Sequence, residues 1–309
     1  MQHCESILVI IPTVATTERG DYLYRAIESV ISQREVRAVP LVVANGTNCD
    51  PSILESLRHN NKIRFAYINE ASMPKALLTG REMVDTPYFS ELDDDDILLP
   101  DALKIRLNIM QHNPDTDVVI TSGYICNGNK KIINIVGYSE IQSNPLQMLL
   151  KINWLLPGSA LFRTDTVTQE FFAGMPKFLE WTYLAVRLSS STKISFVNTP
   201  TLVHYTHHSF SIWNSKECII NKPNALKQIL QLELPIEIKH YFKMALASAN
   251  YIVFRIYLKD HEYRFAWSLL RECLKSKAGW MFAFNLIHSK FLRVSRSFFR
   301  RYSVITKFE

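Results

Sequence analysis

The sequence is short of cysteine, and the few it has are not arranged for chemistry. Cys4, Cys49, Cys126, Cys218 and Cys273 are odd in number and far apart, with no C-x-x-C pair and no histidine at ligand spacing. This excludes a zinc ribbon and a disulfide framework and predicts reduced, structural thiols. No uncharged apolar run approaches the roughly 18 residues of a membrane span. The most hydrophobic late stretch, Met244 to Phe254, is fenced by Lys243 and Arg255. Ile7 to Ile11 is too short for a signal-peptide core, follows no basic residue and runs into Pro12-Thr13 rather than a small-residue cleavage site. It reads as the first strand of a cytoplasmic protein. Internal repeats and Gly/Ser linkers are also missing, and 47% hydrophobic with 21% charged residues excludes disorder, collagen and coiled coil.

The net charge of +6 conceals an asymmetry. From Lys216 onward there are 17 Lys and Arg against 7 Asp and Glu, and before it 18 against 22. The division predicts a mildly acidic body at 1–215 and a basic region at 216–309 directed at an anionic surface.

Within the body, strand-like and helix-like periods alternate. Ile7 to Ile11 is a continuous apolar run, and Tyr22 to Ile31 carries Leu23, Ala26, Ile27 and Val30 on one helical stripe. The alternation continues through Val39–Val43, Pro51–Leu57, Ile63–Ile68, Lys75–Met83 and Tyr88–Leu92. Repeated βα units imply a largely parallel sheet with helices on its faces. Further on, a helix is expected from Pro100 to Met110, a strand at Asp117–Ser122, a helical stretch over Asn144–Leu156 and a strand at Ser159–Phe162. A helix at Glu180–Leu188 and two short strands, Lys193–Val197 and Thr201–Tyr205, follow, and helices alone come after Asn214.

The most informative residues are Asp93, Asp94, Asp95 and Asp96. Four consecutive carboxylates repel one another and need a compensating cation. They fall where the strand Tyr88–Leu92 ends, and ligands of open α/β sheets bind off the carboxyl ends of strands. Alternate carboxylates suit Mg²⁺ or Mn²⁺, which usually share their shell with substrate phosphates. A solvated loop favouring the next helix N-terminus is the plainer alternative.

Several segments resemble, in order, the motifs of the family 2 glycosyltransferases. They are Ile7–Thr13 with Leu23, Ala26, Ser29, Val30 and Gln33; Val42–Thr47; Gly80; Leu92–Asp96 with Pro100 and Leu103; Gly158–Arg163; Glu180, Leu184, Arg187 and Leu188; and Tyr205, His208 and Ser211. The resemblance covers about residues 5 to 215. It implies an α/β GT-A fold, a Rossmann-like domain with a mostly parallel mixed sheet, followed here by an α-helical C-terminal region. It also implies inverting transfer from a nucleotide-sugar donor, UDP-type by preference, to a glycan or lipid-linked acceptor. By the same resemblance Asp93 and Asp95 hold Mn²⁺ or Mg²⁺, with His208 either a further ligand or only a surface histidine, and Pro12, Thr13, Asn45 and Asp94 contact the nucleotide; Lys75 either stands in for a missing family arginine there or is only an exposed helix-start lysine. Asp96 is either part of this site or only a helix cap.

The departures from the family pattern are as informative. Asn45 or Ala44 stands where the family has the Asp that reads the base, Leu77 and Thr206 replace two arginines, and Glu180-Trp181 replaces an E-D pair. Glu180 is therefore the candidate general base, since Glu170 is the only other carboxylate within ten residues on either side. A role as a mere helix-start residue stands beside it. In the tail, Lys290, Arg293, Arg296 and Arg300 line one helical face opposite Phe291, Val294, Phe298 and Phe299. That pattern fits either a membrane interface or docking by the phenylalanine side, and no nucleic-acid motif accompanies it. The expectation is an enzyme of surface polysaccharide or glycolipid assembly at the inner face of the membrane. A GT-A protein without catalysis is the alternative. A nucleotidyltransferase is disfavoured, because no Gly-rich triphosphate loop follows the first strand.

Overall fold

A computed structural model describes residues 5–127, 130–133, 138–206, 215–274 and 280. The βα series expected from periodicity is present: β1 (Ser6–Thr13), α1 (Gly20–Ile31), β2 (Arg37–Asn45), α2 (Pro51–His59), β3 (Arg64–Ile68), α3 (Met73–Glu82) and β4 (Tyr88–Glu91). After the acidic turn come β5 (Ile97–Leu98), α4 (Ala102–His112), β6 (Val118–Asn127), β7 (Lys130–Ile133), α5 (Tyr138–Ser143), α6 (Pro145–Met148) and β8 (Ala160–Arg163). The chain then forms α7 (Glu180–Ser191), β9 (Ile194–Tyr205), α8 (Lys216–Ile229), α9 (Ile236–Lys259) and α10 (Tyr263–Leu274).

The strands make one mixed sheet in the order β3-β2-β1-β4-β8-β6-β9-β5, with β7 paired to β6. Its first half, β3 to β4, is parallel, and antiparallel pairing enters with β8. Ile7 to Ile11 are at most 1% exposed. Each such aliphatic side chain contributes on the order of 1.5–3 kcal/mol, which is why β1 can sit at the centre of the sheet. The predicted stripe Leu23, Ala26, Ile27 and Val30 is the buried face of α1. Gly80 lets α3 cross β1 closely, since a Cβ there would lie 2.4 Å from Ile10 Cγ2.

Two local expectations are corrected. The stretch 144–156 is helical only at Pro145–Met148, and residues 153–156 are buried without regular structure. A run buried on every side has no amphipathic stripe to show, so its apolar content looks the same as that of a helix. The two short strands near 193–205 are a single strand, β9, whose pairing with β6 slips at Thr121/Ser122 and Ser122/Gly123. A bulge lets one strand continue through Pro200, which from sequence reads as a break.

The described residues divide into two compact units. One, drawn from 5–145, 154–175 and 184–206, contains the whole sheet. The other, drawn from 146–153, 176–183 and 215 onward, contains α8 to α10, where Met244, Ala247, Tyr251, Phe254, Ala266 and Cys273 form a core of their own.

Candidate active site

The acidic turn is placed by strand register. β1 and β4 are parallel neighbours with Ile10 opposite Glu91, so Thr13 and Asp94, three residues beyond each, fall together. Thr13 Oγ1 donates to Asp94 Oδ2 at 2.6 Å. The chain turns at Asp93–Asp96, closed by the Asp96 amide donating to the Asp93 carbonyl at 3.1 Å, and β5 then pairs with Leu202 and Val203 of β9. Gly158 (φ +76°) backs onto this corner, where a Cβ would lie 2.8 Å from Leu202 Cδ1 and 2.9 Å from Leu92 Cδ1.

Among the described residues two cations meet the four carboxylates. Arg19, just before α1, donates from Nε to both Asp94 oxygens at 3.1 Å, and its Nη2 contacts Asp94 Oδ1 and pairs with Asp95 Oδ2 at 3.0 Å. Burial works against the Arg19 charge, but the Asp94 hydrogen bond and the charges of Asp94, Asp95 and Asp93 outweigh it and raise its pKa. On the other side Asp96, fully buried, accepts from the Tyr205 amide at 2.9 Å and pairs with His204 Nδ1 at 2.8 Å. Desolvation opposes the imidazolium. Asp96 first, then Asp93 and Asp95, overcome that and push His204 up to about 9. Asp96 is thus the partner of His204 and not a helix cap, and the N-cap position of α4 is taken by Asp101 in a left-handed conformation (φ +61°).

Asp93 is different. Its Oδ1 is shut off from water and has no hydrogen-bond partner among the described residues, and burial with the charges of Asp96 and Asp95 raises its pKa well above the usual carboxylate range. Among the described residues no three His, Cys, Asp or Glu side chains form a self-contained metal centre. The orphaned oxygen of Asp93 and the partly exposed Asp95 instead fit a divalent cation whose shell is completed by substrate phosphates. His208 lies outside the described residues.

The remaining expected nucleotide contacts divide in two. Pro12, opposite Val43 in the β1–β2 pairing, and Asn45 lie at the same strand ends as Thr13, and Asn45 donates to the Thr13 carbonyl at 2.8 Å while accepting from the Ser72 amide at 3.1 Å. Lys75 stands apart, on the surface in α3, paired with Glu70 at 2.6 Å.

Glu180 opens α7 and belongs to the other unit. It is 8% exposed, and its carboxylate accepts from its own amide and that of Phe178. Burial dominates and pushes its pKa up to about 7. Phe178, a bulky residue held at φ +72°, is the local cost of that arrangement, and such backbone outliers concentrate at functional sites. Trp181, the residue in place of the family's second acid, is 5% exposed.

Three features of the sheet unit escaped the sequence reading. Arg19 and His204 are 75 and 108 residues from their acidic partners, so only the fold reveals them. Arg106, fully buried, donates to Ser90, Thr121 and Thr201 hydroxyls and to the Gly158 and Ala160 carbonyls, tying β4, β6, β8 and β9 together behind the turn. Its signal was an arginine on the apolar stripe Leu103, Leu107 and Met110 of α4. Both Glu91 oxygens are buried with no hydrogen-bond partner among the described residues, and burial raises its pKa to about 8 against the weaker pull of Arg81. The motif residues Ser29 and Gln33 are explained by the fold: they bond Leu98, Leu99 and Leu103 and pin the chain that leaves the acidic turn.

The model of glycosyl transferase family 2 matches residues 8–171, just over half of the chain, and spans these strand ends and the acidic turn. The chain belongs to glycosyltransferase family 2. An uncharacterized glycosyltransferase of Rickettsia prowazekii is 26% identical over 118 residues, covering 38% of this chain and 36% of that protein. One of Rickettsia felis is 28% identical over 124 residues, covering 40% and 20%. The matched segment therefore spans about a third or less of these curated relatives. Among solved structures, S. aureus TarS 1–349 superposes with a TM-score of 0.50 at 15% identity over 78% of this chain and 69% of that one. Its complex with UDP-GlcNAc gives 0.50 at 14% over 79% and 71%. That likeness establishes the shared GT-A fold. Among the described residues no helix is long and apolar enough to cross a membrane.

Proposed function

We propose that this family 2 protein is an inverting glycosyltransferase that moves a sugar from a nucleotide-sugar donor, UDP-type by preference, to a hydroxyl of a glycan or glycolipid in surface polysaccharide assembly. The observation that carries the proposal is the orphaned Oδ1 of Asp93 beside Asp95, in an acidic turn otherwise neutralised by Arg19 and His204. With all four carboxylates ionised, as a bound divalent ion requires, the two cations leave two negative charges, which that ion balances. The donor complex of the fold neighbour TarS points to the same class of donor.

In this reading Asp93 and Asp95, with His208, hold Mn²⁺ or Mg²⁺. The bound ion supplies Lewis-acid stabilisation of the charge that builds on the departing diphosphate. Thr13 fixes Asp94, so the turn keeps one shape. Pro12, Thr13, Asn45 and Asp94 form the nucleoside-side wall, with Asn45 offering a carbonyl and a donor to the base in place of a carboxylate, and Lys75 turns from Glu70 to the donor. Glu180 takes the proton from the acceptor hydroxyl, a role that requires a carboxylate poised near neutral pH. Residues 1–215 act as the catalytic domain. The basic region 216–309 attaches the protein to the inner face of the cell membrane by electrostatic attraction to anionic lipid, with no nucleic acid involved. Lys290 to Arg300 lie outside the described residues.

The test is a thermal-shift screen of nucleotide sugars with Mn²⁺, followed by product detection. A donor raises Tm by mass action, and transfer or hydrolysis follows. Trp181, Leu77 and Thr206, at positions where the family carries an acid and two arginines, favour a second reading as a non-catalytic binding protein. Stabilisation by a nucleotide sugar with no turnover of it would select that reading.

A further inference from the structure

Among the described residues the Arg19 side chain is bound to Asp94 and Asp95. The two carboxylates are not equivalent. Asp94 is nearly buried and also held by Thr13, whereas Asp95 has a side chain 20% exposed and Arg19 as its partner. The guanidinium fork that matches a carboxylate also matches a phosphate bidentately. Charge counting gives a reason to exchange one for the other. With all four carboxylates ionised, Arg19 and His204 compensate half of the run. Once a divalent ion balances the remaining two charges, the diphosphate that arrives with the donor brings new negative charge and finds no further cation in the turn.

We propose that Arg19 is a partner-exchanging counter-ion: it occupies Asp95 in the unloaded protein, in competition with a divalent cation, and swings to the donor's diphosphate when both are bound. The inference rests on the nucleotide-sugar reading of this site and adds to it an ordered, cooperative loading. Coupling between two ligands is reciprocal, typically 5–150-fold. The cation therefore binds weakly alone and tightly with the diphosphate.

The experiment uses the full chain and two probes, Mn²⁺ followed by electron paramagnetic resonance and UDP followed by calorimetry. Arg19→Gln removes the charge, so Mn²⁺ without nucleotide should bind about 10-fold tighter, while UDP at saturating Mn²⁺ should bind about 10-fold weaker. The affinity for UMP, which lacks the second phosphate, should fall less. Arg19→Lys keeps the charge without the fork and should leave Mn²⁺ affinity near wild type, with UDP affinity in between. If Arg19 only props the turn, Arg19→Gln weakens Mn²⁺ and UDP together, and that result overturns the proposal. Should Arg19→Gln not fold, the wild-type protein decides: Mn²⁺ affinity that rises several-fold with UDP supports the exchange, and Mn²⁺ affinity independent of UDP overturns it. The Mn²⁺ arm contains no nucleotide, so a failure of the donor reading appears in the UDP arm only.

Discussion

The acidic turn and the start of α7 both present buried carboxylates, and the fold surrounds them differently. At the turn, burial raises the pKa of Asp94 and Asp96, and the cations Arg19 and His204 pull against that rise. At α7, Glu180 is buried with two backbone amides and, among the described residues, no salt-bridge partner, and burial lifts it to about 7 against the weaker pull of Lys177. Carboxylates with cations beside them suit cation and diphosphate binding, whereas one that titrates near neutrality suits proton transfer. The proposed function uses the two places in the chain in these two ways.

The largest expected effect breaks one side of this comparison alone. Glu180→Gln should lower transfer by about 10²- to 10⁴-fold, the usual contribution of a general base, and leave donor binding intact. In the wild type, kcat/KM should rise with pH through about 7, because the base works only when unprotonated. Near-normal turnover in the variant, or a flat profile between pH 6 and 8, would remove Glu180 from that role.

A second substitution probes the support of the turn. Gly158→Ala places a side chain at φ +76° and within 3 Å of Leu92 and Leu202. A cost of about 1–3 kcal/mol is expected from such backbone strain, a fall in Tm of roughly 2–4 °C per kcal/mol, with donor affinity falling as Leu92 is displaced. An unchanged Tm would show that the corner relaxes freely.

How much of this was legible in the sequence follows from the range of the interactions. The βα order from β1 to α4 was readable because each element announces itself locally, as the buried run Ile7–Ile11 and the stripe of α1 do. The acidic run, Thr13 and Gly158 were visible as motifs. Their partners were not, because Arg19 meets Asp94 through the β1–β4 pairing and His204 meets Asp96 through β5–β9. In the cluster His204, His207 and His208 the family pattern points to His208, whereas the sheet brings His204 to the carboxylates. β5 and β7, two and four residues long, are too short to carry a period. The buried stretch 153–156 has no solvent face to pattern it.

The smallest expected effect sharpens the acidic side. His204 is raised from 6.5 to about 9 in the fold, so the Asp96 pair stabilises fully below pH 6.5 and is lost as pH rises through about 9. With EDTA present, His204→Gln should cost about 1 kcal/mol at pH 6 and little at pH 10. For Glu180 the sign is the same and the origin differs: its neutral form is favoured in the fold, so stability falls as pH rises from 4.5 to 7, and Glu180→Gln should flatten that fall. Equal effects of His204→Gln at pH 6 and pH 10 would contradict an imidazolium at this position.

The most direct measurement is calorimetry of Mn²⁺-dependent nucleotide-sugar binding in Asp95→Ala and Glu180→Gln side by side. Asp95→Ala should fold with an unchanged or higher Tm, because Arg19 keeps Asp94 and one repelling carboxylate is gone, yet lose the metal-dependent binding. Glu180→Gln should bind as the wild type does. Retained binding in Asp95→Ala, or binding lost in Glu180→Gln alone, would contradict the division of labour between the two carboxylate sites.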